Sequence, residues 1–187
     1  MKNSIKLLSL IALLSVSQLV LAQERWSFEL RPGVNFPTTE TLGSDLSTGF
    51  GGELVFGYRF LEHTGVYGGW GWNQFSQDDI DVEMTGYTFG LQFIHPINES
   101  SISYLVRAGG IYNHLEFEDD AGNITYDTGH GLGWEAGLGL ELPLGETFKL
   151  RPQVGYRSLS RETDFEGITE DADLNYISLS IGITKLF

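Results

Sequence analysis

Between His130 and Leu142 the chain alternates without a break. The even positions read His, Leu, Trp, Ala, Leu, Leu, Leu, and the odd positions between them Gly, Gly, Glu, Gly, Gly, Glu. In an extended strand successive side chains point to opposite faces, so this alternation makes one apolar face and one face of glycine and charge. The same period of two marks eight segments, about 24–36, 49–60, 65–76, 82–94, 101–115, 129–142, 148–159 and 173–187, each bounded by turn signals. No segment carries a sustained helical period. The connections alternate as well. Those at 61–64, 95–100 and 143–147 are short, those at 37–48, 116–128 and 160–172 are long, polar and mostly acidic, and 77–81 is brief but acidic. An up-and-down meander sends alternate connections to opposite ends, which gathers the short turns with both termini at one end and the acidic loops at the other. Pro32 and Pro152 fall inside segments and cannot donate ladder hydrogen bonds, which predicts a local bulge at each.

The apolar face carries Trp26, Phe28, Leu30 and Val34 in the first segment, Phe50, Leu54, Phe56, Tyr58 and Phe60 in the second, and Ile177, Leu179, Ile181, Ile183 and Phe187 in the last. The face opposite is rich in glycine and holds Glu53, Arg59, Arg107, Glu135 and Glu141, with Lys149, Arg151 and Arg157 after the turn at 143–147. Two orientations are open. A soluble carrier barrel turns its apolar face inward and clothes its outside in polar side chains. Glycine with a few charges of both signs makes a poor aqueous coat and fits a crowded interior. Turned outward, the apolar face meets lipid and every one of these charges points into the lumen. Reversing Glu53, Arg107 and Glu135 against lipid would cost on the order of 6 kcal/mol, comparable to a domain's whole stability. Aromatic residues also gather near segment ends, Tyr58 with Phe60, Trp70 with Trp72, and Phe93, where interfacial girdles belong. The expected fold is all-β, an antiparallel up-and-down eight-stranded transmembrane β-barrel.

The first 22 residues stand apart from this pattern. Lys2 and Lys6 make a positive start, Leu7 to Val16 is a short apolar run, and Val20-Leu21-Ala22 offers a signal peptidase its small and aliphatic positions. The run is too short and too broken by Ser15, Ser17 and Gln18 for a spanning helix. The expectation is a signal peptide cleaved after Ala22, leaving 23–187 as one barrel domain. The full chain has 25 acidic against 11 basic residues, a formal charge of −14. Loss of the two signal lysines sharpens that excess, and such acidity excludes a nucleic-acid partner. There is no cysteine, which excludes a lipid-anchored lipoprotein and a disulfide scaffold.

With its eight alternating segments, the stretch "LRPQVGYR" at 150–157 and the closing "YISLSIGITKLF" at 176–187, the mature chain resembles the small eight-stranded outer-membrane β-barrel proteins of the OmpA-like and porin-family kind found in Gram-negative bacteria. The resemblance implies residence in the outer membrane among lipid and lipopolysaccharide. It also implies an assembly signal in the last strand, an aromatic terminus preceded by alternating apolar residues, recognised by the barrel assembly machinery. Phe187, Ile183, Ile181 and Leu179 match it; Lys185 stands where that family usually has an apolar or aromatic residue.

An eight-stranded barrel is only wide enough for its own side chains. Counted from the short turns, Glu53, Arg107 and Glu135 fall near mid-height, Arg59, Glu141, Lys149 and Arg151 near the short-turn end, and Arg157 higher. Charges in such a lumen must be paired or hydrated. Arg107 is expected to pair with Glu135 on the next segment, with Glu53 approaching from across. The network is either a structural plug or, by resemblance, a switchable gate on a narrow ion path. The function expected is that of an integral outer-membrane barrel serving envelope structure, surface interaction or limited small-solute passage. An outer-membrane lipid-modifying enzyme and a soluble periplasmic lipid-binding barrel are the alternatives. An enzyme needs a nucleophile or acid–base set near the loop end. His63 and His95 lie in short turns, and no nucleophile stands beside His114 or His130. Those two flank one hairpin and, with Glu116 or Glu118, approach a metal site, yet they lack the third and fourth ligands of a zinc site. They are expected to be interfacial polar residues, with no catalytic residue, metal or cofactor. The acidic loops "EFEDDAGNITYD" and "RETDFEGITEDAD" lack the ligand spacing of an EF-hand. They are expected to be solvated surface that can bridge divalent cations to lipopolysaccharide phosphates or meet a basic partner.

Overall fold

The computed structural model describes residues 25–40, 46–77, 80–119, 121–165 and 168–187. The expected signal peptide lies outside the described residues. The strands are β1 (Trp26–Pro37), β2 (Gly49–Arg59), β3 (Thr64–Gln77), β4 (Ile80–Pro96), β5 (Ser103–Glu118), β6 (Ile124–Asp127), β7 (Gly131–Pro143), β8 (Phe148–Phe165) and β9 (Ile168–Leu186). Every pairing is antiparallel. The sheet runs β4-β3-β2-β1-β9-β8-β7-β5, and a β4–β5 pairing closes it. Eight strands therefore form a complete barrel with no free edge, so that backbone groups are paired within the wall except where prolines interrupt a ladder.

The ninth strand corrects the loop expected at 116–128. β5 continues to Glu118, and Asp119 caps a tight turn by accepting hydrogen bonds from the Ala121 and Asn123 amides, both 2.9 Å. The Asn123 backbone and side-chain donors hold the Asp119 carboxyl below the usual carboxylate range. β6 then returns along the outer end of β5, with Glu116 opposite Asp127. The connection expected at 160–172 is likewise ladder: β8 and β9 stay paired as far as Phe165 opposite Ile168. Extending the hairpins satisfies backbone donors and acceptors that an irregular loop would leave to solvent.

No bulge forms at Pro32 or Pro152. The register is continuous on both sides of each, but β1–β9 pairing skips from Leu30 opposite Ile183 to Gly33 opposite Ser180, and β7–β8 pairing skips from Gly139 opposite Gln153 to Leu142 opposite Leu150. Each proline faces the partner that would have needed its N–H and keeps full pairing on its other side. A closed barrel thus tolerates proline by omitting bonds in one ladder, not by inserting a residue.

The apolar face points outward. Phe56, Leu132, Leu138 and Ile181 are exposed on the wall, whereas Glu29, Arg31, Glu53, Arg107, Glu135, Arg151 and Arg157 are buried inside. Near the acidic-loop end this arrangement inverts. On β5 the outward series Tyr104, Val106, Tyr112 gives way to His114, Glu116 and Glu118, and on β4 Phe89 and Tyr87 give way to Thr85, Glu83 and Asp81. At the same height the inward positions turn apolar. Leu46, Phe75, Val82, Met84, Ile111, Leu115, Phe117, Leu159, Leu174 and Tyr176 form one buried cluster. A wall that leaves lipid for water must exchange its faces, because above that level only the interior can shelter apolar side chains. The level is marked by outward aromatics, among them Trp72 against Phe50 and Trp134 against Tyr156, while Trp26 against Tyr58 marks the short-turn end.

A charge placed on the outward face should therefore be costly only between those two rows. Leu138→Arg, at mid-wall, is expected to lower stability in liposomes by about 2–4 kcal/mol. Gln74→Arg, above the upper row and beside Asp81, is expected to change it by less than about 0.5 kcal/mol. Urea titration of the folded fraction, scored by faster migration of unboiled protein on a denaturing gel, reads both.

Candidate functional site: the charged lumen

Below the apolar cluster the strands aim charged side chains at one another from all round the wall. β1 presents Glu29 and Arg31, β2 Glu53, β5 Arg107, β7 Glu135 and Glu141, and β8 Arg151 and Arg157; with the exception of the part-exposed Glu141, all are buried. Four carboxylates face four guanidiniums, and the pairs are continuous. Glu141 accepts from Arg151 at 2.6 Å, Arg151 donates on to Glu29 at 2.7 Å, and Arg107 meets the same Glu29 oxygen at 2.7 Å. Arg31 lies 4.0 Å from Glu29 and also pairs with Glu53. Glu53 pairs in turn with Arg157, which reaches Glu135 at 2.8 Å. Tyr67 completes the circuit by donating its hydroxyl to Glu135 at 2.6 Å, while the Arg107 guanidinium lies 5.2 Å from the centre of its ring.

Glu29 is the hub. Besides the arginines it accepts hydrogen bonds from Gln153 at 2.8 Å and Thr184 at 3.3 Å. Gln92 accepts from Arg107 at 3.2 Å, and Gln153 accepts from Arg31 at 3.2 Å. An ion pair in a low-dielectric interior needs this saturation of its remaining lone pairs and protons to offset the loss of water. Glycine supplies the room. A Cβ at Gly182 would stand 2.6 Å from Glu29 Oε1, and one at Gly109 would stand 2.7 Å from the Tyr67 hydroxyl. A cavity of about 40 Å³ bordered by Arg31, Asn73, Arg107 and Glu135 has room for about three waters. Asn73 Nδ2 and Arg107 Nε, which have no hydrogen-bond partner among the described residues, belong to residues lining it.

Six of the residues singled out in the sequence, Glu53, Arg107, Glu135, Glu141, Arg151 and Arg157, meet in this circuit, but not as expected. Arg107 does not pair with Glu135. The β5–β7 register sets Arg107 opposite Gly137 and Glu135 opposite Gly109, so Arg107 sits one inward step nearer the short turns and crosses the lumen to Glu29. The direct cross-strand partners are Glu135 with Arg157 and Arg31 with Glu53. Lys149 sits at the short-turn end and forms no ion pair among the described residues, and Arg59 stands at the rim, where β2 ends. Glu29, Arg31 and Tyr67 were missed, although all three occupy inward positions by the same alternation.

The profile of the outer membrane protein beta-barrel domain matches residues 8–184. The chain belongs to that family. Its fold is shared by Neisserial surface protein A, with a TM-score of 0.68 at 13% identity over 87% of this chain and 97% of that one. The outer membrane protein OprG of Pseudomonas aeruginosa gives 0.55 at 13% over 89% and 99%, and E. coli outer membrane protein W gives 0.56 at 17% over 88% and 99%. No curated protein matches the chain in sequence. Leu179, Ile181, Ile183 and Phe187 point outward and are exposed. Lys185 shares their face, and its ammonium lies 4.9 Å from the Phe187 ring centre and 5.9 Å from that of Phe148, at the rim where a long stem can carry charge to water. Of the histidines, His63 and His95 lie with ring centres 4.5 Å apart and planes tilted by 47° beside the short turns, whereas His114 and His130 stack at 4.4 Å on the outer wall near the acidic end.

Removing the hub should cost more than removing the end of the circuit. Glu29→Gln leaves Arg107 and Arg151 without their shared carboxylate and is expected to destabilise the barrel by about 3–5 kcal/mol. Glu141→Gln removes one pair near the rim and should cost about 1 kcal/mol or less. Thermal unfolding in detergent, followed by loss of the fast-migrating gel band, compares them.

Proposed function

We propose that this chain is an integral outer-membrane protein of a Gram-negative bacterium that anchors an acidic extracellular surface and does not conduct solutes. One observation carries the reading. Among the described residues the interior carries the Glu–Arg circuit toward the short turns and the apolar cluster toward the acidic end, and the cavity bordered by Arg31, Asn73, Arg107 and Glu135 measures about 40 Å³. A water-filled path through the described residues would have to break paired charges and wet an apolar core at the same time, and the two costs add. The gate reading needs only the first of these.

Export by cleavage after Ala22 and recognition of the Phe187, Ile183, Ile181, Leu179 pattern by the barrel assembly machinery belong to the same proposal. So does the partner side: outer-membrane lipid around the apolar wall, and divalent cations or a basic partner at the acidic hairpin ends, with lipopolysaccharide phosphates bridged through the cations. The carrier alternative is disfavoured because the wall turns its apolar residues outward.

Folded protein in a planar lipid bilayer under concentrated KCl is expected to give no unitary current steps above the lipid baseline. Reproducible steps of one size would overturn the sealed-barrel reading. Exchanging the six acids between Glu162 and Asp173 for their amides is expected to reduce calcium-dependent binding to lipopolysaccharide vesicles, and unchanged binding would remove the loops from the proposal.

A further inference from the structure

On the outer wall, above the aromatic row, β4, β5 and β6 place three acids side by side. Glu83 is directly opposite Glu116, and Glu116 is directly opposite Asp127. Like charges at facing positions of a sheet destabilise it. No lysine or arginine lies within salt-bridge distance of Glu116 or Asp127 among the described residues, so the row is not neutralised by the protein's own cations. One step nearer the membrane, facing Thr85 across the β4–β5 pair, is His114.

His114 turns one ring nitrogen to each side. Its Nε2 is 2.6 Å from Thr85 Oγ1, and its Nδ1 is 3.1 Å from Asp127 Oδ1 and 3.8 Å from Glu116 Oε1. One donor atom from each of the three residues falls within 4.8 Å of the others. Three ligands of a tetrahedral ion, each about 2.1 Å from it, stand about 3.4 Å apart, so this spacing needs only small side-chain adjustments. If Thr85 accepts the Nε2 proton, the tautomer is set with the Nδ1 lone pair aimed at the two carboxylates. That is the arrangement in which an outer-shell partner orients a metal-ligating imidazole. The His130 ring, stacked on His114 at an interplanar angle of 13°, limits the other rotations of that ring.

We propose that His114, Glu116 and Asp127 form a binding site for a divalent transition-metal ion of the zinc class on the extracellular face of the barrel wall. The imidazole nitrogen distinguishes this site from one for calcium or magnesium, which take oxygen ligands. Three protein ligands leave a further position facing the surroundings, open to water or to an anionic oxygen. The ion would also tie β6 to β5, since Asp127 comes from the one strand that is not a stave of the barrel. The sequence brought His114 and Glu116 together but not the third ligand, because Asp127 reaches His114 only through the β6 hairpin. It does not depend on whether the lumen conducts.

The test is calorimetric titration of Zn2+, with Ca2+ as comparison, into folded full-barrel protein in detergent, purified without a polyhistidine tag. The expected result is one saturable Zn2+ site that Ca2+ does not fill. His114→Asn and Asp127→Asn should each weaken it at least tenfold while the unboiled protein keeps its fast gel migration. Thr85→Val, which leaves all three ligands in place, should weaken it about 10-fold to 100-fold. Zn2+ affinity equal in wild type and His114→Asn, both folded by gel migration, would overturn the site, as would a Ca2+ affinity matching that of Zn2+.

Discussion

Charge balance in a space with room for only a few waters is the constraint on which the rest of the barrel depends. Eight strands leave a lumen that side chains must fill, and this chain fills its lower part with carboxylates and guanidiniums joined through Glu29. Neither sign is tolerable there alone. Because each partner comes from a different strand, the circuit also works as a check on register. Glu53 meets Arg31 and Arg157 only if β1, β2 and β8 are each in place. A slip of one residue on any of them would aim a charge at lipid and leave its partner unpaired. The glycines opposite these charges follow from the same requirement, since a Cβ at Gly182 would occupy the space of the Glu29 carboxylate.

A second constraint acts along the strand. The wall passes through two solvents, and the parity of apolar residues switches where it leaves the first. Tyr112 faces out and Leu115 faces in, on one continuous strand three residues apart in sequence. The upper apolar cluster is thus the core of an extension above the membrane level, stabilised as any water-soluble sheet is, and it lies over the charged lumen. The two halves support each other. The charged layers fix register where burial of apolar groups gives no guidance, and the apolar layers bury surface where lipid no longer covers the wall.

Much of this was legible in the alternation, because a period of two assigns each residue to a face whatever the register. The outward set, the closed meander and the inward placement of Glu53, Arg107, Glu135 and Arg157 all follow from parity. Pairing does not, because it depends on height. Adjacent segments suggested Arg107 with Glu135, whereas the ladder separates them by one inward step and sends Arg107 to Glu29. Glu29 and Arg31 themselves were open to the same parity argument. They lie between Phe28, Leu30 and Pro32, in a segment whose apolar positions drew the assignment. The upper cluster was hidden for a different reason. Phe117 and Leu174 fall in or beside stretches rich in acid, and an acidic outer face over an apolar inner one looks like a polar loop when the two faces are not separated.

The same reasoning accounts for β6. Seen as a loop, residues 116–128 carry five acids with no ligand spacing, and a solvated surface is the natural conclusion. Folded back as a hairpin, they acquire facing positions, and facing positions turn composition into geometry. Glu116 and Asp127, eleven residues apart in sequence, become direct partners with His114 beneath them. A hairpin built on a rigid barrel holds such a group more firmly than a free loop would, because its register is inherited from the staves. In this protein, then, the chemistry that sequence spacing could not reveal arises where secondary structure continues past the membrane.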